Sequence, residues 1–210
     1  MACWGTEFVN KVKRNGIKVD YVSPKGGRVP LDPRSLQKSY ASKKDYAILN
    51  SLDFKRRAII NSLKPSDINP KVYFAIYFRG GHGVLWNFTK NTELIKIAET
   101  IYNNNGYLLS VCHGLVGLLN IKDRNGNYLT NDRYITGFTD QEETLGGKKD
   151  KVPYSAEQEA KLRGANFLKT LPYTPNAIKC GRLITGQNPI SGKAVARKLI
   201  KDLKKRELYL

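Results

Sequence analysis

One stretch of the chain limits its fold more than any other: YLLSVCHGLVGLL, residues 107–119. Its first part, YLLSV, is an apolar run that predicts a buried strand, and Gly114 begins a second apolar run that predicts a short buried helix. One cysteine and one histidine, Cys112 and His113, lie between the two runs. The sequence therefore predicts a thiol and an imidazole at the point where a strand turns into a helix.

The other apolar runs alternate between strand-like and helix-like patterns. Strands are predicted at residues 17–24, 72–78 and 134–138 and in the later run GRLITG. Helices are predicted at residues 91–106, after the capping box of Ser155 and Gln158, and in SGKAVARKLIKDLKK. The polar residues 38–69 carry mixed helical signals and predict a surface elaboration. This alternation predicts a three-layer α/β domain with a mostly parallel sheet.

Length and composition predict one soluble domain over residues 1–210. A chain of 210 residues can bury one good core, and 40% hydrophobic and 26% charged residues are ordinary for a globular protein.

The N-terminus lacks a signal-peptide pattern, and no apolar run approaches the ~20 residues of a membrane span. Cys3, Cys112 and Cys180 contain no C-x-x-C pair, which argues against a disulfide framework and a thiolate zinc site. We therefore expect reduced thiols, a cytoplasmic location and no membrane partner.

The formal net charge of +18 raises the question of an anionic partner. Basic patches that bind nucleic acid neutralise phosphates and are usually clustered, often with aromatic residues between the cations. Here the lysines and arginines are scattered over separate segments such as NKVKRNGIK, DFKRRA and KDLKKRE. The pattern favours a solvated basic surface and no specific nucleic-acid binding.

The position of Cys112 makes this residue a candidate nucleophile. In an open parallel sheet, ligands bind beyond the carboxyl ends of the strands, where helix N-termini direct N–H groups towards them. The dipole of such a helix lowers the pKa of a thiol, so we expect a fraction of thiolate at neutral pH. A free cysteine is more often a small buried apolar residue. The sequence SVCHG after an apolar strand favours the nucleophile here.

The chain contains only two histidines, and both follow a predicted buried strand. His113 follows one strand, and His82 lies in RGGHG at the end of another. Because carboxyl ends of parallel strands meet at one edge of a sheet, the two histidines should converge on one crevice. The glycines Gly80 and Gly81 allow close approach of the backbone, and their N–H groups could form an oxyanion hole.

These motifs carry a family resemblance. FRGGHGVLWN, SVCHG, ITGFTDQEET and GRLITGQNPIS, in this order, resemble the class I glutamine amidotransferase-like superfamily of PfpI proteases and Parkinson-linked deglycases. Within that superfamily the chain is most similar to the glutathione-independent glyoxalase III and heat-shock chaperone branch, from about Ile17 to about Leu203. The resemblance implies a flavodoxin-like three-layer α/β/α sandwich with a nucleophile elbow, a homodimer, and neither a metal nor an organic cofactor.

The resemblance also implies roles for individual residues. Cys112 matches the nucleophile of the family and His113 its neighbouring imidazole. The acid that orients the histidine corresponds to Glu143 in DQEET, with the adjacent Glu142 as the alternative. A further glutamate that assists the nucleophile has its nearest counterpart in Glu7. The substrate-binding and oxyanion positions are Gly80, Gly81, His82 and Gly114.

The N-terminus departs from the family pattern. The interval between Glu7 and NGIKVD is a few residues short, and the apolar first strand expected upstream is missing or has diverged. Such a loss would expose the edges of neighbouring strands unless a dimer partner or a rearranged N-terminus covers them.

The function implied by the resemblance is a glyoxalase that converts a 2-oxoaldehyde such as methylglyoxal to a 2-hydroxy acid, with related deglycase activity on glycated amino groups. Three alternatives to this function are open. A cysteine peptidase or amidase would use the same thiol on a carbonyl with an amine leaving group. A holding chaperone or a thiol stress sensor would have no turnover. An inactive gene product is the remaining alternative.

Overall fold

The computed structural model describes residues 6–31, 33 and 43–207. Its centre is a four-stranded sheet in the order β1-β2-β6-β5, formed by Ala75–Phe78 (β1), Tyr107–Val111 (β2), Leu183–Gly186 (β6) and Ala177–Cys180 (β5). β1, β2 and β6 are parallel, and β5 is antiparallel to β6. A separate two-stranded parallel sheet joins Tyr134–Ile135 (β3) to Asn166–Phe167 (β4).

Six α-helices surround the strands in the part of the chain that the structure describes. They are Thr6–Lys13 (α1), Lys43–Leu49 (α2), Thr92–Asn103 (α3), Asp140–Leu145 (α4), Ala156–Leu162 (α5) and Gly192–Glu207 (α6). Short 3₁₀ helices connect several of them. Cys112–Gly117 follows β2 directly, and His82–Trp86 follows β1 after residues 79–81. A π-helical segment covers Phe54–Ile60. None of the described helices is long and apolar enough to cross a lipid bilayer.

The two faces of β2 bury different helices, which produces three layers. Leu108 belongs to the core cluster that contains Leu94 and Ala98 of α3. Its neighbours in sequence, Tyr107 and Leu109, pack in a second cluster with α1 and α6. Successive side chains of a strand point to opposite faces, so a continuously apolar strand such as YLLSV must be covered on both sides. The prediction of a three-layer α/β/α sandwich with a mostly parallel sheet is confirmed.

Most predicted elements are present, with shorter bounds. The helix predicted at residues 91–106 is α3, and Asn91 caps it by accepting a hydrogen bond from the backbone N–H of Leu94. The strand predicted at residues 72–78 begins at Ala75, because Pro70–Val72 is a 3₁₀ helix. A short buried helix was predicted after Cys112, and the structure has a buried 3₁₀ helix there. The part of the predicted surface elaboration at residues 38–42 lies outside the described residues.

The strand predicted at residues 17–24 is wrong. This segment makes one isolated parallel bridge, between Val22 and Leu63, and forms no ladder among the described residues. A strand needs a neighbour that can pair with its backbone, and in the described chain β1 has β2 on one side and no strand on the other. Val19 and Tyr21 do pack against the second core cluster. The apolar alternation therefore indicates contact with the core, but it does not report whether a neighbouring strand can pair with the backbone.

Candidate active site

The carboxyl ends of β1 and β2 place the predicted site residues at one edge of the sheet. Phe78 lies opposite Ser110 in the parallel register, so the loops that follow the two strands start side by side. The loop RGGHG follows β1 in the chain, and Cys112 and His113 follow β2. A third segment, TGFTDQEET, brings the N-terminal turn of α4 to the same place. The predicted convergence of the two histidines is observed, with ring centroids 4.4 Å apart.

Cys112 lies at the turn in a strained backbone conformation. Its φ is 57°, in the left-handed region that residues with a Cβ rarely adopt. The residue is 3% exposed, and its Sγ lies 3.3 Å from Nδ1 of His113. Strained residues of this kind often occur at functional sites, because the surrounding structure must hold them in place. The turn therefore has the geometry of a nucleophile elbow.

Two glycines allow the loops to pack directly against the elbow. A Cβ on Gly80 would lie 2.6 Å from the carbonyl oxygen of Val111 and 2.7 Å from Cβ of Cys112. A Cβ on Gly114 would lie 2.0 Å from the carbonyl oxygen of Phe78. Only glycine fits at these two positions. The strand ends are thus in backbone contact, with no side chain between them.

A hydrogen-bonded series of side chains extends from Cys112 towards the surface. Nε2 of His113 is 2.6 Å from Oε2 of Glu143, and Nε2 of His82 is 2.8 Å from Oε1 of the same carboxylate. His113 and Glu143 are buried, whereas the side chain of His82 is 34% exposed. The structure therefore brings together Cys112, His113 and Glu143 and adds His82 on the second oxygen of Glu143. The substrate-binding role of His82 stays a prediction beside this bond.

Two neighbouring rings pack against the imidazole of His113. The ring of Phe138 lies 4.4 Å from that of His113, and the ring of His82 lies at the same centroid distance. Tyr173 contacts Phe138 in turn, edge to face at 6.3 Å. Sequence reasoning did not select Phe138, although it lies within the quoted ITGFT motif. These two tilted contacts limit the freedom of the His113 ring to rotate.

Glu142 belongs to a different hydrogen-bond network from Glu143. Its Oε2 accepts hydrogen bonds from the backbone N–H and the hydroxyl of Thr139, at 3.1 and 3.0 Å, in a capping box at the start of α4. Its Oε1 accepts from the backbone N–H of Tyr173 and from the amides of Gln187 and Asn188. The TDQE capping-box pattern is a sequence signal that could have assigned Glu142 to the helix end. The structure places Glu143, not Glu142, against His113.

The protonation states follow from burial and from these hydrogen bonds. Burial favours the neutral form of Glu143, but the hydrogen bonds from His113 and His82 outweigh it and lower the pKa of this carboxyl to about 2. Burial lowers the pKa of His113, although the bond to Glu143 opposes this shift. Glu143 is therefore an anion and His113 a neutral imidazole at pH 7. With an anion beside Nε2, that nitrogen carries the ring proton, and Nδ1 is left as an acceptor facing Cys112.

The expectation of a lowered thiol pKa is wrong for this structure. Burial raises the pKa of Cys112 well above its ordinary range, and the negative charges of Glu142 and Glu143 raise it further. The backbone N–H groups of His113 and Gly81 donate to the sulfur and lower the pKa by less. The helix that starts at Cys112 is a short 3₁₀ helix, so its dipole is small. The resting site is a neutral thiol beside a neutral base.

Glu7 lies apart from this series of side chains. It is an exposed residue of α1, and no hydrogen bond joins it to Cys112 among the described residues. Its charge acts on Tyr77 instead: burial raises the pKa of Tyr77, and the negative charge of Glu7 raises it further. The Tyr77 hydroxyl is buried without a hydrogen-bond partner in the described structure. The assisting role that the resemblance implies for Glu7 remains a prediction.

The same side chains form a candidate donor set for a metal ion. Nε2 or Nδ1 of His82 and His113 and a carboxylate oxygen of Glu143 lie within 4.8 Å of one another. Two imidazoles and one carboxylate are ligands that zinc accepts in proteins. In this structure both imidazole-to-carboxylate contacts are already hydrogen bonds of 2.6 and 2.8 Å. Cys112 and Cys180 are free thiols, and Cys3 lies outside the described residues.

A parallel α/β/α sandwich with a strained cysteine at the end of a central strand, next to a histidine and a glutamate, defines a class of cysteine-dependent flavodoxin-like proteins. The model of the DJ-1/PfpI family matches residues 5–202. The chain belongs to the DJ-1/PfpI family.

Relatives of known name support this assignment. The chain is 33% identical over 202 residues to "Glutathione-independent glyoxalase HSP31" of Saccharomyces cerevisiae, across 93% of this chain and 85% of that protein. It is 28% identical over 195 residues to "Glyoxalase 3" of Candida albicans, across 90% of this chain and 82% of that protein.

Solved structures are similar over nearly the whole chain. The structure of Rapid Encystment Protein 24 KDa of Francisella tularensis has a TM-score of 0.87 and 32% identity and covers 96% of this chain and 89% of its own. The structure of glyoxalase III from Candida albicans has a TM-score of 0.86 and 28% identity and covers 95% and 86%. These likenesses agree with the predicted resemblance to the glyoxalase III branch.

Proposed function

We propose that this protein is a glutathione-independent glyoxalase that converts a small 2-oxoaldehyde such as methylglyoxal to the corresponding 2-hydroxy acid. The observation that carries the proposal is the hydrogen-bonded series Cys112, His113, Glu143 at the elbow. The names of relatives that are 28% to 33% identical over most of the chain support the choice of substrate class.

The first step is the attack of Cys112 on the aldehyde carbon. Because the resting thiol is protonated, the attack requires a base, and Nδ1 of His113 lies 3.3 Å from the sulfur. The proton moves from Sγ to Nδ1, a carbon–sulfur bond forms, and the aldehyde oxygen becomes an alkoxide that takes up the proton as a hemithioacetal. Glu143 stabilises the transient imidazolium through its 2.6 Å bond to Nε2. We assign the stabilisation of the alkoxide to the backbone N–H groups of His113 and Gly81, which donate hydrogen bonds to the sulfur.

The second step moves a hydrogen between adjacent carbons. A base removes the proton from the former aldehyde carbon, giving an enediol, and a proton returns to the neighbouring carbon. The product is a thioester of a 2-hydroxy acid on Cys112. Water then cleaves the thioester, which releases the acid and restores the thiol. The sum is the addition of one water to the 2-oxoaldehyde, without net oxidation or reduction, so the sequence of steps calls for no redox co-reactant.

The test is lactate formation from methylglyoxal by purified, reduced protein without glutathione. Cys112→Ala should abolish turnover, because no other group in the site can form the hemithioacetal. Cys180→Ala is the matched control: this partly exposed free thiol lies on β5, and its loss should leave the rate unchanged. Amine buffers must be avoided, since they bind the aldehyde reversibly.

Two outcomes would contradict the proposal. If the folded wild-type protein forms no lactate but suppresses aggregation of a heated client protein, the chaperone alternative replaces the enzyme. If it cleaves amide or peptide substrates while methylglyoxal is left intact, the peptidase or amidase alternative is correct.

The assembly and the location belong to the same proposal. We expect a homodimer in the cytoplasm, as the resemblance to the glyoxalase III branch implies, and no specific nucleic-acid partner. Light scattering coupled to size-exclusion chromatography measures the mass in solution against 23.7 kDa for one chain. A mass of one chain at micromolar concentration would contradict the dimer.

A further inference from the structure

Glu143 uses both of its carboxylate oxygens, and each oxygen binds a different histidine. Oε2 is 2.6 Å from Nε2 of His113, and Oε1 is 2.8 Å from Nε2 of His82. We propose that His82 is a positioning residue of the reaction: it fixes the carboxylate of Glu143, and through it the ring and the tautomer of His113. The catalytic consequence rests on the proposed glyoxalase function, whereas the effect on the tautomer does not.

Glu143 needs this second bond because little else restrains its carboxylate. A glutamate side chain has three rotatable bonds, and its terminal torsion is broad. In the described part of the chain, the hydrogen bonds to the carboxylate of Glu143 come from the two histidines alone. Glu142, one residue earlier, has five such donors from Thr139, Tyr173, Gln187 and Asn188. Without His82, the Glu143 carboxylate would be free to turn away from His113 for part of the time.

The position of His82 is itself well determined. It begins the 3₁₀ helix His82–Trp86, directly after Gly81, whose φ of 134° needs glycine. Gly80, one residue earlier, packs against Cys112 without space for a side chain. The same loop that contacts the nucleophile therefore carries the group that holds the Glu143 carboxylate. This arrangement couples the end of β1 to the acid on α4.

His82 acts through its hydrogen bond to Glu143 and not through a positive charge. Burial lowers the pKa of His113, and a positive charge on His82 lowers it further, which would oppose the proton transfer from Cys112. A neutral imidazole still donates its Nε2–H to Oε1 of Glu143. The amide of glutamine reaches about as far from the backbone as Nε2 of histidine and donates a hydrogen bond without carrying charge. His82→Gln should therefore keep the function that His82→Ala loses.

The composition of the chain allows a direct test. The protein has two histidines, so any His82 variant leaves His113 as its sole imidazole. The ¹⁵N resonances of that single ring report its tautomer without assignment by mutation. We expect a single tautomer, protonated at Nε2, in His82→Gln. In His82→Ala we expect averaging between the two tautomers.

Kinetics provide the second measurement. In His82→Ala, kcat for lactate formation should fall roughly 30-fold with KM changed by less than roughly threefold, because a misplaced base loses part of the rate gain of acid–base catalysis. His82→Gln should recover to within roughly threefold of wild type. Thermal unfolding of both variants checks that they are folded.

The outcomes separate the two proposals. A single Nε2–H tautomer and unchanged kcat in His82→Ala would overturn the positioning role. Equal defects in His82→Gln and His82→Ala would also overturn it, since the ring or its charge would then be what matters. If the wild type forms no lactate at all, the proposed function fails, and the tautomer comparison still decides the role of His82.

Discussion

Glu142 and Glu143 are adjacent in α4, yet their carboxylates lie in separate hydrogen-bond networks. Glu142 is fully buried and ties the start of α4 to Tyr173, Gln187 and Asn188. Glu143 faces the two histidines at the sheet edge. Consecutive residues of a helix point about 100° apart, so one residue can stabilise the fold while the next serves the site.

The two glutamates should respond differently to the same substitution. Glu143→Gln should reduce kcat for lactate formation roughly 100-fold, because the anion that fixes the His113 tautomer and stabilises its imidazolium is lost. Its unfolding free energy at pH 7 should also fall, because the hydrogen bonds of the ionised carboxylate to the two histidines are lost. Steady-state kinetics and thermal unfolding measure the two effects in one preparation.

Glu142→Gln is the matched variant. The glutamine amide would face a buried donor from Thr139, Tyr173, Gln187 or Asn188, which should cost about 1–3 kcal/mol of unfolding free energy. The folded fraction should still turn over substrate. If instead Glu142→Gln loses activity at full stability, the assignment of the acid to Glu143 is wrong.

The free energy of unfolding should fall in mild acid. The pKa of Glu143 is lowered from 4.5 to about 2, so its contribution is complete above pH 4.5 and is lost as the pH falls through 2. The lowered pKa of His113 acts in the same direction below about pH 6.5, since the unfolded chain then binds the proton more readily. For Glu143 alone the full loss, reached only below pH 2, amounts to about 3 kcal/mol, of which somewhat less than half is lost by pH 3.5. Urea unfolding at pH 7, 5 and 3.5 measures it, and parallel curves for wild type and Glu143→Gln would contradict this assignment.

Gly80 should tolerate no side chain, in contrast to its neighbour Gly83. In Gly80→Ala, the new Cβ would clash with the carbonyl oxygen of Val111 and with Cβ of Cys112, so the nucleophile must shift. A displacement of about 1 Å can cost roughly 100-fold in rate. Gly83→Ala meets no atom within 4 Å and should keep the wild-type kcat/KM. Equal activity of the two variants would show that the contact between the strand ends is not required.

Tyr77→Phe should stabilise the protein. The Tyr77 hydroxyl is buried without a partner in the described structure, while its ring stacks on Phe8 at 3.8 Å. Removing an unsatisfied hydroxyl and keeping the ring should raise the unfolding free energy by about 1 kcal/mol. Chemical denaturation measures the change. A loss of kcat at unchanged stability would instead show that the hydroxyl contacts the substrate near Cys112.

Backbone amides of residues 18–21 should exchange with solvent much faster than those of β2. The described structure shows no backbone hydrogen bond from these amides, whereas residues 108–110 pair with a parallel strand on each side. Hydrogen exchange should differ by at least ~100-fold between the two segments. Slow exchange at residues 18–21 would mean that another strand pairs with them in solution.

The sequence predicts the centre of this fold well, because continuous apolar runs are a strong signal. YLLSV and the stripe in α3 were found since both faces of the strand and one face of the helix are buried. Convergence of His82 and His113 followed from the parallel direction of two strands. Residues 17–24 failed because strand formation depends on a partner elsewhere in the chain, which local alternation does not report.

The details of the site were harder to predict. The choice between Glu142 and Glu143 depends on where α4 begins, and a shift of one residue exchanges their directions. The thiol pKa was misjudged because burial, which a turn motif does not reveal, outweighs the effect of a short helix. The bond from His82 to Glu143 joins residues 61 positions apart in the chain, and the ring contact of Phe138 with His113 likewise requires the folded structure.

The left-handed backbone conformation of Cys112 affects which residues homologues carry at this position. A residue with a Cβ at a φ of 57° costs roughly 1–2 kcal/mol, and alanine or serine would bear the same cost without the nucleophile. Glycine adopts this conformation freely. A lineage that stops using the thiol would therefore gain stability by mutation of Cys112 to glycine. Among homologues that keep the sandwich and lose the chemistry, glycine should therefore be enriched at the end of this strand.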